Sequence, residues 1–121
     1  MSTDPRHHLG ALGEQRAAEH LERLGYEVVA RNHRTRYGEI DLVVADARTL
    51  VIVEVKSRRG RGNPWDALDE RKRRQVRRMG IAYLTSVETR PRRPAVRFDA
   101  IGVVFDAAGQ MVALHHLEAA F

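Results

Sequence analysis

Apolar positions change their period several times along the chain. In residues 9–24, LGALGEQRAAEHLERL, Ala17, Leu21 and Leu24 recur at helical spacing with Glu and Arg between them, and Gly25 follows as a stop. The pattern then shortens. YEVVARN (26–32) predicts a strand, and YGEIDLVVA (37–45) with TLVIVEVKS (49–57) predicts a hairpin that runs into the glycine-rich loop RGRGNP (59–64). Helical spacing returns over residues 66–86, with Leu68, Val76, Met79, Tyr83 and Leu84 toward a core and Arg toward water. After the basic, proline-punctuated loop TRPRRP come two strands, AVRFDAIGVVF (95–105) and QMVALHHLE (110–118), joined through DAAG. The order αβββαββ predicts an α/β fold with one mixed sheet flanked by helices. No repeat or linker divides it, so residues 1–121 are expected to form a single domain.

Composition narrows the class without changing that picture. With 43% hydrophobic and 31% charged residues the chain has the balance of a soluble globular protein. The longest uncharged apolar runs, near TLVIV and AIGVVF, are too short to cross a bilayer, and the start MSTDPRHH has no signal-peptide core, so no membrane partner is expected. The absence of Cys excludes disulfides and thiolate zinc sites and fits a cytoplasmic location.

Charge adds a candidate partner. The formal net charge is +5 and the pI about 10.4. Of 21 basic residues only Lys56 and Lys72 are lysines, and the arginines cluster: Arg58, Arg59 and Arg61, then Arg71 to Arg74 around Lys72, then Arg77 and Arg78, then Arg90, Arg92 and Arg93. A guanidinium pairs bidentately with phosphate oxygens, so such clusters point to nucleic acid, although solubility or a codon bias toward Arg would give the same count.

The hairpin carries charges where a buried strand does not normally tolerate them. Unpaired buried charges cost several kcal/mol or shift their pKa. Alternation makes Glu54 and Lys56 project together from their strand, and likewise Glu39, Asp41 and Val43 from theirs. A four-residue turn at 46–49 sets Asp41 opposite Glu54 on a common face, whereas a three-residue turn separates them. In the first register two carboxylates converge, and a hard divalent cation is the usual remedy for their repulsion. Glu14 precedes Ala17, Ala18 and Leu21 at helical spacing and so turns toward the sheet as a third carboxylate. Singly, Glu14 also reads as a complement to the helix dipole, Asp41 as a turn former, and Glu54 with Lys56 as a salt bridge. Their coincidence favours a site.

The combination of a helix bearing Glu14, then GEID with Asp41, then EVK with Glu54 and Lys56, resembles the PD-(D/E)XK nuclease superfamily. More closely, GALGEQRAAEHLERLGYEVVARNHR, GEIDLV, LVIVEVKSR and RFDAI resemble the bacterial YraN-like family, related in fold to archaeal Holliday junction resolvases; the likeness covers nearly the whole chain. Ile40 stands where the superfamily's name-giving Pro would be. The resemblance implies a restriction-endonuclease-like core and metal-assisted hydrolysis of phosphodiesters. It implies that Asp41, Glu54 and the carbonyl of Val55 hold Mg²⁺ or Mn²⁺, with Glu14 as a further ligand, and that Lys56 orients water or stabilises the transition state. Gln75 is a candidate auxiliary residue.

The expected function is therefore a metal-dependent nuclease acting on DNA, branched or structured DNA included. The alternative is a non-catalytic nucleic-acid-binding module that keeps the fold. Arg58, Arg59, Arg61, Arg74, Arg77, Arg78, Arg92 and Arg93 are the candidate phosphate contacts, and a homodimer is open to either reading. None of the six histidines shows ligand spacing tied to another motif.

Overall fold

The computed structural model describes residues 5–121, with side chains from His8 onward. Its elements run α1 (Pro5–Arg23), β1 (Glu27–Thr35), β2 (Gly38–Ala45), β3 (Thr49–Arg59), α2 (Glu70–Ser86), β4 (Ala95–Phe105) and β5 (Met111–Leu117). The five strands lie in the order β1-β2-β3-β4-β5. The β3–β4 pair is parallel and the other pairs are antiparallel. The chain is thus α/β with a five-stranded mixed sheet flanked by two helices, as expected from the order of periods.

Helix α1 ends where Gly25 takes a φ of 98°. The Gly25 N–H donates to the Glu22 carbonyl and the Tyr26 N–H to that of Leu21 (both 3.0 Å), which satisfies carbonyls the helix would otherwise leave bare. Leu24, expected inside, lies past the last helical residue and is 55% exposed. Helix α2 begins at Glu70, four residues later than its period suggests. The Asp69 carboxylate accepts from the Lys72 N–H at 2.8 Å, and this cap fixes the start. Leu68 therefore sits in the preceding loop.

Each sheet face has its own core. Ala17, Ala18 and Leu21 of α1 pack with Leu42, Val44, Val51, Val53, Ile101, Val103 and Phe105. Val76, Met79 and Tyr83 of α2 pack with Ile40, Val43, Ala45, Leu50 and Ile52. Strand β3 alternates between the two and is covered on both faces, which is why its sequence is almost continuously apolar up to Val53. A polar cluster closes the far side. Asp99, fully buried, receives both arms of Arg97 (2.8 and 2.9 Å), lies 2.8 Å from His116 Nε2, and accepts from the Ala119 N–H at 3.0 Å. Burial pushes its carboxyl up, but the His116, Arg97 and Ala119 hydrogen bonds outweigh that and hold it below its ordinary value. His116 Nδ1 in turn lies 3.0 Å from His20 Nε2 on α1.

Helix α1 approaches β3 so closely at Gly13 that a Cβ there would overlap the Ser57 hydroxyl and lie 3.0 Å from its Cβ. Ser57 Oγ is buried and has no hydrogen-bond partner among the described residues. Gly13→Ala should therefore destabilise by about 1–3 kcal/mol, the scale of overpacking, despite alanine's better helix propensity. Ser57→Ala, which removes the overlapping oxygen, should restore most of that loss. Urea denaturation of the two single variants and the double variant measures it.

Candidate metal and phosphodiester site

The β2–β3 turn decides the geometry. The Asp46 N–H donates to the Thr49 carbonyl at 3.0 Å, and the Asp46 side chain accepts from the N–H groups of Arg48 and Thr49. This is the four-residue turn. Leu42 then pairs with Val53, which brings Asp41 level with Glu54.

Beyond that pair the ladder changes character. The Asp41 carboxylate, through Oδ2, accepts the Val55 N–H at 2.7 Å, so a side chain takes the place of a strand carbonyl. Ile40 belongs to the α2 core and Leu42, two residues on, to the α1 core, so β2 rolls over at Asp41. Opposite it, β1 carries Asn32 at a φ of 49°. The Asn32 amide donates to Glu14 Oε2 at 2.9 Å, tying α1 to this irregular part of the sheet.

Asp41 and Glu54 crowd each other away from water. Glu54 is 4% exposed, and its carboxyl is pushed up to about 8, first by burial and next by the Asp41 charge. Asp41 is pushed up to about 7 by burial, against the Val55 hydrogen bond, with the Glu14 charge adding to the rise. Lys72 relieves the crowding in part. Its Nζ lies 3.6 Å from Glu54 Oε2 and 3.4 Å from Gln75 Oε1. Among the described residues Glu54 Oε1 has no hydrogen-bond partner, although it is buried.

The remaining candidates are near but differently engaged. Lys56 is exposed on the same strand face, its ammonium 5.5 Å from the centre of the Trp65 ring. Trp65 is itself held by its indole N–H to the Ile101 carbonyl at 3.0 Å. Glu54, Val55, Lys56, Trp65 and Lys72 line one cavity of about 350 Å³. Gln75 donates to the Tyr37 carbonyl at 3.1 Å and borders a larger groove of about 670 Å³ with Tyr37, Arg71, Lys72, Arg74 and Arg78. Glu39 pairs loosely with Arg34 at 3.8 Å, outside the site.

The arginines do not form a single surface. Arg74 and Arg78 face the groove, and Arg58, Arg59 and Arg61 are exposed at the end of β3 and in the loop that follows. Arg77 turns instead to Glu70 at 3.5 Å. Arg92 and Arg93 lie at the other end of the sheet. The Arg93 guanidinium donates to the Asp46 carbonyl, and Ala95 pairs with Thr49, which is about 23 Å along β3 from Lys56 at the usual strand rise. They are removed from the site by the parallel register of β4.

The residues fit a hard divalent cation in kind. Two carboxylates, one with an oxygen lacking any partner, are the ligands Mg²⁺ commonly takes from protein while keeping several waters. Among the described residues no three His, Cys, Asp or Glu side chains are gathered into a ready metal cluster, because Glu14 is drawn to Asn32. Sequence reasoning missed Lys72 and Asn32. The pairing of Lys72 with Gln75 at i, i+3 was visible, but it lay inside a run of arginines; nothing local marked Asn32 for a positive φ.

The profile of the uncharacterised protein family UPF0102 matches residues 13–103, a span that contains Glu14, Asp41, Glu54 and Lys56. The chain belongs to this family, which is the YraN-like group. A UPF0102 protein of Pelotomaculum thermopropionicum is 41% identical over 120 residues, covering 98% of both chains. Relatives from Nocardia farcinica (42% identical, 93% of this chain and 88% of the relative) and Symbiobacterium thermophilum (46%, 78% and 80%) are similar over most of their length.

Both site carboxyls hold protons more tightly in the fold than in the unfolded chain. From about pH 4 to pH 8 the folded state therefore binds more protons, and the pair's contribution to the stability of metal-free protein falls as pH rises through that window. His20, whose proton affinity is lowered first by burial and then by His116, opposes this below about pH 6.5. The comparison that isolates the pair is Glu54→Gln. This variant should melt higher than the parent at pH 8, with the gap closing by pH 5; equal melting temperatures at pH 8 would contradict the crowding.

Proposed function

We propose that this chain is a metal-dependent nuclease that hydrolyses phosphodiester bonds in DNA, branched or structured DNA included, in the cytoplasm. Its core is read as restriction-endonuclease-like, with the PD-(D/E)XK signature at Asp41, Glu54 and Lys56. The observation that carries the reading is the half-buried Asp41 beside the buried Glu54, whose charges repel and whose Glu54 Oε1 has no partner among the described residues. A protein gains nothing in stability from such a pair, and perturbed carboxyls of this kind mark sites.

Asp41, Glu54 and the Val55 carbonyl would hold Mg²⁺ or Mn²⁺, with Glu14 contributing from α1 directly or through water. The bound cation supplies polarisation of the phosphate and a water of lowered pKa. The protein's own groups do the rest. Asp41 is held in place beside Glu54 by accepting the Val55 N–H. Lys56, steadied over Trp65, places a positive charge beside the carboxylates where charge builds on the phosphoryl oxygens. Arg74 and Arg78, with Arg58, Arg59 and Arg61 beyond β3, bind the backbone without reading bases.

Single-stranded, duplex, flapped and four-way-junction DNA, each incubated with Mg²⁺ or Mn²⁺, test the activity. Cleavage should require the metal and vanish in Asp41→Asn, whose amide oxygen can still accept the Val55 N–H. Tight binding of these DNAs without cleavage under any of these conditions would overturn the nuclease and leave a binding module on the same fold.

Lys56→Met keeps the aliphatic stem on Trp65 and removes only the charge. Single-turnover cleavage should fall by about 10²-fold or more while DNA affinity changes little. Equal rates for parent and variant would reduce Lys56 to a surface residue.

A further inference from the structure

The ammonium nearest the carboxylate pair belongs to Lys72 of α2, not to the Lys56 of the strand motif. Its surroundings are two-sided. Lys72 borders both the cavity containing Glu54 and the adjoining groove lined by Arg71, Arg74 and Arg78, so its side chain stands at their junction. Its backbone is fixed, because its N–H is the donor to the Asp69 cap. Its head group is not. At 3.6 Å from Glu54 Oε2 and 3.4 Å from Gln75 Oε1 it falls well outside the 2.7–2.9 Å of a tight charge-assisted hydrogen bond. A lysine ammonium on a four-carbon stem exchanges such partners cheaply, where a guanidinium fork would not. Lys72 is the one lysine in a stretch that otherwise uses arginine.

We propose that Lys72 is a tethered counter-ion that occupies the carboxylate pair in competition with the divalent cation, and that a polyanion in the arginine-lined groove draws it away. Metal and nucleic acid then bind with positive coupling. The ammonium that leaves Glu54 gains a phosphate partner, and the cation that replaces it meets an uncontested carboxylate. Linkage makes the effect reciprocal, so the metal tightens nucleic-acid binding by the factor by which nucleic acid tightens metal binding. The inference rests on the metal-site reading above and adds to it an order of events: the site takes up its cation most readily once substrate is in the groove.

The experiment measures Mn²⁺ affinity by the electron-paramagnetic-resonance signal of free Mn²⁺, with and without a phosphorothioate oligonucleotide that resists cleavage. In the parent, the oligonucleotide should tighten Mn²⁺ binding by about fivefold or more, the lower end of ordinary coupling. In Lys72→Met, Mn²⁺ should bind several-fold more tightly than in the parent without oligonucleotide, and the oligonucleotide should add little. Lys72→Arg keeps the charge and should keep the weak binding in the absence of oligonucleotide. Circular dichroism melts establish that each variant is folded, and Lys72→Gln replaces Lys72→Met if that one is not. Unchanged or weaker Mn²⁺ affinity in the neutral variant, with the parent binding Mn²⁺, overturns the counter-ion role alone. Absence of Mn²⁺ binding in the parent, with and without the oligonucleotide, overturns the counter-ion role and the metal site together.

Discussion

The hydrogen bond from the Val55 N–H to the Asp41 carboxylate is the contact on which the site depends. An uninterrupted β2–β3 ladder would give that N–H a backbone carbonyl and close the strands over the space beside Glu54. A side-chain acceptor satisfies the donor instead, at the point beside Glu54 where the regular β2–β3 pairing ends. The same carboxylate must then sit beside Glu54 and away from water. The raised proton affinities of both groups follow from that position and not from any special chemistry of either.

The stable parts of the molecule are arranged around this weak point. Two apolar clusters press on β3 from opposite faces and stop near Val53, and the polar residues begin at Glu54. The close approach at Gly13 sets the depth of α1 and thereby the reach of Glu14, while the Asp69 cap sets the first turn of α2 and thereby the position of Lys72. Local stop and start signals in the sequence thus decide which charges meet at the sheet.

How much of this could be read beforehand varies with the range of the interaction. Strand β4 came out at residues 95–105 as its pattern says, because alternation and a flanking Pro-rich loop are local signals. The register that brings Asp41 to Glu54 was one of two alternatives, and the Asp46 turn chose between them. The late start of α2 was missed because a period alone does not reveal a cap. Arg92 and Arg93 looked like neighbours of the helix arginines in sequence, but β4 runs parallel to β3 and so begins at the far end. Asn32 and the Asp99–His116 pair depend on contacts between distant strands, for which no spacing rule exists; His116 looked idle until β5 was laid against β4.

The Asp99 cluster reaches beyond the span that the family profile matches. The family profile ends at residue 103, yet the groups that hydrogen-bond Asp99 include His116 and the Ala119 N–H, and the Ala120 N–H bonds the Phe98 carbonyl. A fragment cut at the profile's edges would keep every residue of the metal-site reading and lose two of the three residues that hydrogen-bond a fully buried carboxylate, leaving Asp99 to Arg97 alone.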